Sequence, residues 1–184
     1  MNPVLAQLAR LARLLSTLSE WTGRGVAWLT LLMVLLTFGI VVLRYGFGIG
    51  SIAAQEAVGF LHALVFLLGA AYTLKHDGHV RVDIFYRDMS ARRRAWVDLF
   101  GALFLLAPVC LLILWVSWDY VAAAWALREG SRETGGLPGV YLLKTAIPLM
   151  AVLVLLQGLA QAAHALLTLA GVPVPAESPA PREL

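Results

Sequence analysis

Leu74-Lys75-His76-Asp77-Gly78-His79-Val80-Arg81-Val82-Asp83, followed shortly by Arg92-Arg93-Arg94, is a polar interval in the middle of an otherwise apolar sequence. Two apolar runs precede it, at about 26–43 and 53–74, and two follow, at about 99–118 and 140–169. A helix needs about 20 apolar residues to cross the hydrocarbon of a bilayer. The interval therefore splits the chain into two pairs of crossings and fixes which way the protein faces. Only 14% of the 184 residues are charged and 60% are hydrophobic, with mean hydropathy +0.81. A soluble domain of this size carries about 25% charge. The sequence predicts an all-α integral membrane protein of four transmembrane helices, with no room for a separate soluble domain.

Orientation follows from the basic residues. Of the fourteen Lys and Arg, ten fall on the side that holds the central interval and both termini, and four (Arg44, Arg128, Arg132 and Lys144) on the other. The positive-inside rule then places both termini and the interval in the cytoplasm. The same rule accounts for the net charge of +3, so a nucleic-acid reading is not needed. Arg92, Arg93 and Arg94 are expected at the lipid headgroups. Cys110, the single cysteine, excludes an internal disulfide.

Residues 1–24 read as an amphipathic helix. Val4, Leu5, Leu8, Leu11, Leu14, Leu15 and Leu18 recur at helical spacing, against Gln7, Arg10, Arg13, Ser16 and Thr17. Such a helix lies in the membrane interface or docks along a partner. The four-helix transmembrane domain is expected over 25–171, and the Pro/Ala-rich tail 172–184 reads as disordered. Within the domain, Arg44 closes the first span, Ser51 is placed to cap the second, and Glu56 lies near its start. Arg44 and Glu56 stand across this hairpin from one another. Ser90 is placed to cap the third helix, where Asp98 follows Arg94 by one turn and Pro108 predicts a kink. Trp115, Trp118, Tyr120 and Trp125 suit an aromatic belt.

The span interiors offer few groups for chemistry. Polar residues near the middle include Thr30, Thr37, His62, Ser117, Gln157, Gln161 and His164, whereas solute pathways are normally marked by ionisable or paired polar groups. No Ser-His-Asp set, phosphate loop or carboxylate pair marks an enzyme. Gln157, Gln161 and His164 share one helix face at i, i+4 and i+7, a stripe expected to face protein, with a partner subunit the favoured reading. Lys75, His76, Asp77, His79, Arg81 and Asp83 include metal-ligand types, but basic residues interleave them and zinc spacing is absent, so no metal is assigned. They read instead as a structural cytoplasmic turn in which Gly78 bends the chain. The rival reading is a haem- or quinone-binding anchor of a redox enzyme. His62 and His164 would have to share the iron, yet helix lengths put them about 20 Å apart in depth.

Taken together, several segments resemble the small membrane subunit of tripartite ATP-independent periplasmic (TRAP) transporters. They are Arg44-Tyr45, Gln55-Glu56, Gly69-Ala70-Ala71-Tyr72, the interval Lys75 to Asp83, Trp115 to Ser131, Gly136-Leu137-Pro138 and Pro148. His79-Val80-Arg81-Val82-Asp83 is the most specific of them. The resemblance implies an inner-membrane scaffold subunit that carries no cofactor. It would brace a large multi-span subunit that holds the substrate and sodium sites, while a periplasmic binding protein delivers an organic acid. It also implies that Arg44, Glu56, Glu129 and Ser131 lie on the outer side, at subunit or binding-protein contacts or where the hairpins are tied together. His79, Arg81 and Asp83 would organise the cytoplasmic loop.

Overall fold

The computed structural model describes residues 3–80 and 84–172. Arg81, Asp83 and the tail 173–184 lie outside the described residues. The helices are α1 (Pro3–Phe47), α2 (Ile52–Lys75), α3 (Ala91–Phe100), α4 (Ala107–Ala126) and α5 (Val140–Leu169). A six-residue π-helical stretch, Gly101–Leu106, joins α3 to α4 in one continuous helix, Ala91–Ala126. Four helices are thus long and apolar enough to cross a membrane, and large apolar side chains stay exposed along them, as hydrocarbon contact requires.

Every other helix packs on α5, whereas among the described residues α1 and α2 make no contact with α3 or α4. The sequence explains this central position. Ala146, Ala151, Gly158, Ala160, Ala162, Ala163 and Ala165 are all buried, and side chains this small let neighbouring backbones approach from several directions. On one flank Ala95, Leu99 and Ala102 close over Ala162, Ala165 and Leu169. On the same flank Leu106 lies where a Cβ on Gly158 would sit, 2.5 Å away.

Two departures from the sequence reading concern helix ends. From residue 3 on, the amphipathic segment expected over 1–24 is no separate element: it runs without a break into the first span, making α1 45 residues long. At ~1.5 Å per residue that is roughly 68 Å, about twice a hydrocarbon crossing. Its buried residues Ala12, Ser16, Ser19 and Val26 form one small-residue stripe that packs along the bundle. The distortion expected at Pro108 takes the form of the π stretch just before it, where Ala107 N–H bonds back to Ala102 C=O. Pro108 has no N–H for the carbonyl four residues earlier, and a widened turn relieves the clash of its ring there.

Three helices end in the same way. After α2, Gly78 N–H bonds to Thr73 C=O at 2.9 Å and Asp77 N–H to Leu74 C=O at 3.4 Å, with Asp77 left-handed at φ 53°. The bend expected at Gly78 therefore falls one residue earlier. Arg128 (φ 46°) closes α4 and Gly171 (φ 73°) closes α5 with matching bonds. Each turn satisfies helix-end carbonyls that hydrocarbon or packed side chains would leave bare.

Candidate functional site

The two ends of the bundle each carry a polar junction. At the end that holds Pro3 and Val172, α1 and α2 meet at Glu20. Its carboxylate accepts Lys75 Nζ at 2.9 Å and Arg24 Nε at 2.9 Å, and lies 3.0 Å from His76 Nε2. The Tyr72 and His76 rings pack at a tilt of 44° with centroids 4.3 Å apart. The Tyr72 ring fills the space above Gly23, where any Cβ would overlap it. Gly23 is therefore required for close approach of the helices.

Glu20 lies outside the uncharged stretch 26–43. Hydrogen bonds from Lys75 first, then His76, lower its pKa from 4.5 to about 2, against a smaller opposing effect of burial. A depressed carboxylate stabilises the fold fully above its unfolded pKa and loses that contribution as pH falls through the folded value. The stability gap between the native chain and Glu20→Gln should therefore hold constant from neutrality to about pH 4.5 and close toward about pH 2. Thermal unfolding of both proteins across that range checks it.

At the opposite end the acceptor is Glu56, near the start of α2. Ser51 caps that helix, accepting Ala54 N–H at 3.2 Å. One Glu56 oxygen accepts the Ser131 hydroxyl and the other accepts Leu137 N–H at 2.7 Å. The loop between α4 and α5 is thereby held to the α1–α2 hairpin. Ser131 N–H bonds to Leu137 C=O at 2.8 Å, and Glu133 N–H bonds to Ser131 Oγ at 3.0 Å. A Cβ on Gly136 would overlap Ser131 and stand 2.7 Å from Glu56 Oε2. Beside this junction Glu129 pairs with Lys144, whose ammonium sits 4.0 Å from the centre of the Tyr120 ring. Trp125 Nε1 donates to Thr145 at 2.8 Å, which orients one member of the aromatic belt.

Other residues singled out from the sequence lie apart from these junctions. Arg44 is exposed at the end of α1, and His79, Arg92 and Arg93 are exposed as well. Arg94 turns back to donate to the carbonyls of Met89 and Arg87 and lies 5.5 Å over the Tyr86 ring, whose hydroxyl bonds Asp98. The Arg94–Asp98 relation thus runs through Tyr86. Of the α5 stripe, expected to face a partner, Gln157 and Gln161 turn into this chain's own bundle. Gln157 is 1% exposed, with Oε1 unpartnered within the chain, and Gln161 donates to Leu74 C=O at 3.0 Å. His164 is half-buried. The cause is the central position of α5, which turns Gln157 and Gln161 toward the chain's own helices.

The Gln161–Leu74 bond also sets helix register. His62 lies twelve residues before Leu74 on α2, and His164 three beyond Gln161 on α5. Their offset along the bundle is roughly 22 Å, too large for the two to ligate one haem. Among the described residues no group of three or more His, Cys, Asp or Glu side chains converges.

Glu20 escaped the sequence reading, although it is the only acidic residue before Glu56. A lone carboxylate at the mouth of an apolar run, facing Lys75-His76 at the end of the next, was the available signal.

The sequence model for "Tripartite ATP-independent periplasmic transporters, DctQ component" matches residues 33–168. A curated relative, the C4-dicarboxylate TRAP transporter small permease protein DctQ of Vibrio cholerae serotype O1, is 35% identical over 88 residues. That alignment takes in 48% of this chain and 38% of the relative, so the chain matches well under half of the relative's length. No solved structure matches. The family match covers most of the chain, including both junctions except Glu20, Gly23 and Arg24, and on it this multi-pass inner-membrane protein, a transporter component and not an enzyme, belongs to the DctQ family of TRAP small membrane subunits.

Proposed function

We propose that the chain braces the large multi-span subunit of a sodium-coupled, binding-protein-dependent importer of organic acids. Sodium and substrate are held by that large subunit. The observation that carries this reading is where the polar groups stand. Carboxylates and ammonium groups gather at the two rims, tying helix to helix, while further in the bundle buries the neutral Gln157 amide among small residues. An ion or carboxylate crossing the membrane needs compensating charge along its way; a brace needs fixed helices. The printed name of the Vibrio relative, a C4-dicarboxylate TRAP transporter permease, supports an organic diacid as the cargo class.

In this reading both termini face the cytoplasm. Arg44, Glu56, Glu129 and Ser131 mark the periplasmic rim, where the tethered loop 128–138 offers a surface to the binding protein. Lys75, His76, Asp77, His79, Arg81 and Asp83 organise the cytoplasmic turn, and Arg92 and Arg93 meet lipid headgroups. Residues 25–171 act as one transmembrane unit.

Expressed with its genomic neighbours, the chain should bring down a much larger membrane protein in detergent. Vesicles holding that complex with its binding protein should accumulate labelled dicarboxylate on a sodium gradient, and vesicles holding this chain alone should not. Uptake by the chain alone would overturn the proposal.

A further inference from the structure

The first half of α1 has two faces. One is docked: Ala12, Ser16 and Ser19 are buried, and Gly23 takes the Tyr72 ring. The other carries Leu11, Leu14, Leu18 and Trp21, then Trp28 and Leu32, all exposed, Leu14 at 69% and both tryptophans at 71%. Their spacing alternates three and four residues, interrupted only at Gly25. That is the narrow apolar seam of a helix that pairs with another helix; a helix resting on lipid shows a wider apolar arc.

We infer that this seam is a docking surface for a transmembrane helix of the large subunit, one that continues past the bilayer alongside α1. The inference rests on the functional reading above for the identity of that subunit. Two observations select this occupant. The first is continuity. The seam runs past the Glu20–Lys75 junction, from the uncharged crossing to the charged segment below it. From Trp21 to Leu11 it extends roughly 15 Å beyond the junction, upright along the bundle because its other face is packed there. Hydrocarbon covers only the upper part of such a stripe, and a soluble protein only the lower. A membrane helix with an extension covers both. The second is charge. Arg10 and Arg24 border the same edge of the seam; Arg10 is exposed, and the Arg24 side chain stays 70% exposed even while its Nε holds Glu20. The facing helix should therefore carry acidic residues along that edge.

The test uses the full chain co-expressed with the large subunit, in a Cys110→Ala background. Leu14→Cys and Leu18→Cys should crosslink to the large subunit through a short bis-maleimide. Leu11→Glu, Leu14→Glu and Leu18→Glu combined should leave helicity unchanged, because these side chains make no core. They should lower the co-purified large subunit by about tenfold or more, as expected when central apolar anchors are lost. A Leu14→Cys homodimer would overturn the inference in favour of a second copy. Undiminished co-purification with no seam crosslink would overturn it too; the triple variant would then weaken only the binding of the isolated chain to anionic vesicles. If the unaltered chain retrieves no large subunit, the functional reading fails and takes the seam's occupant with it; the other outcomes bear on the seam alone.

Discussion

Gly23→Val should lower the thermal stability of the purified chain more than any other single exchange on α1. The space beyond the Gly23 Cα is filled by the Tyr72 ring, so a branched side chain has nowhere to go unless α1 and α2 separate. Forcing extra carbon into a packed site costs about 1–3 kcal/mol, and here the damage does not stay local. Tyr72 packs against His76, and His76 and Lys75 both engage Glu20. Separating the helices at Gly23 therefore strips partners from a carboxylate one turn away. Tyr72→Ala added to Gly23→Val should recover part of the lost stability, although Tyr72→Ala alone is destabilising. Thermal unfolding of the four proteins in detergent tests the coupling. Additive losses would show that the two side chains do not share this space.

Glu56→Ala should release the loop between α4 and α5. Two donors, the Ser131 hydroxyl and Leu137 N–H, converge on this carboxylate, and hydrogen bonds to an ionised acceptor are roughly twice as strong as neutral ones. Amide-hydrogen exchange at Leu137 should speed up by about tenfold, and protease cleavage between residues 128 and 138 should appear. The helices themselves should keep their circular dichroism, because Ser51 still caps α2. Glu56→Asp should behave nearly as badly, its carboxylate being one methylene too short for both donors. Unchanged exchange at Leu137 would show that the loop is held by its own internal bonds.

Much of the fold could be read directly from residues. The four apolar runs, the Ser51 cap and the polar turn at 76–79 depend on local composition, and local composition is what sequence displays. The continuity of α1 was harder. Its change from amphipathic to wholly apolar near Glu20–Gly25 looks like a boundary, and Gly23 and Gly25 look like breakers. Polarity, however, reports surroundings rather than backbone, and Gly23 serves a neighbouring ring. The direction of the Gln157–Gln161 stripe was hidden for another reason. Helical spacing says which residues share a face, but not which neighbour that face meets. The Ala-rich run 160–165 was the clue, since only a helix with neighbours on several sides benefits from so little side chain. Glu20 shows the same limit, because its partners Lys75 and His76 lie 55 and 56 positions away in the chain.

α2 is fastened at its start to the α4–α5 loop through Glu56 and at its finish to α1 through Lys75 and His76. A slip of one helical turn, about 5.4 Å, would break both fastenings at once. Lengthwise shear of this helix is therefore resisted at two points roughly 30 Å apart. Any neighbour that leans on this helix would meet a stationary rail rather than a second moving part.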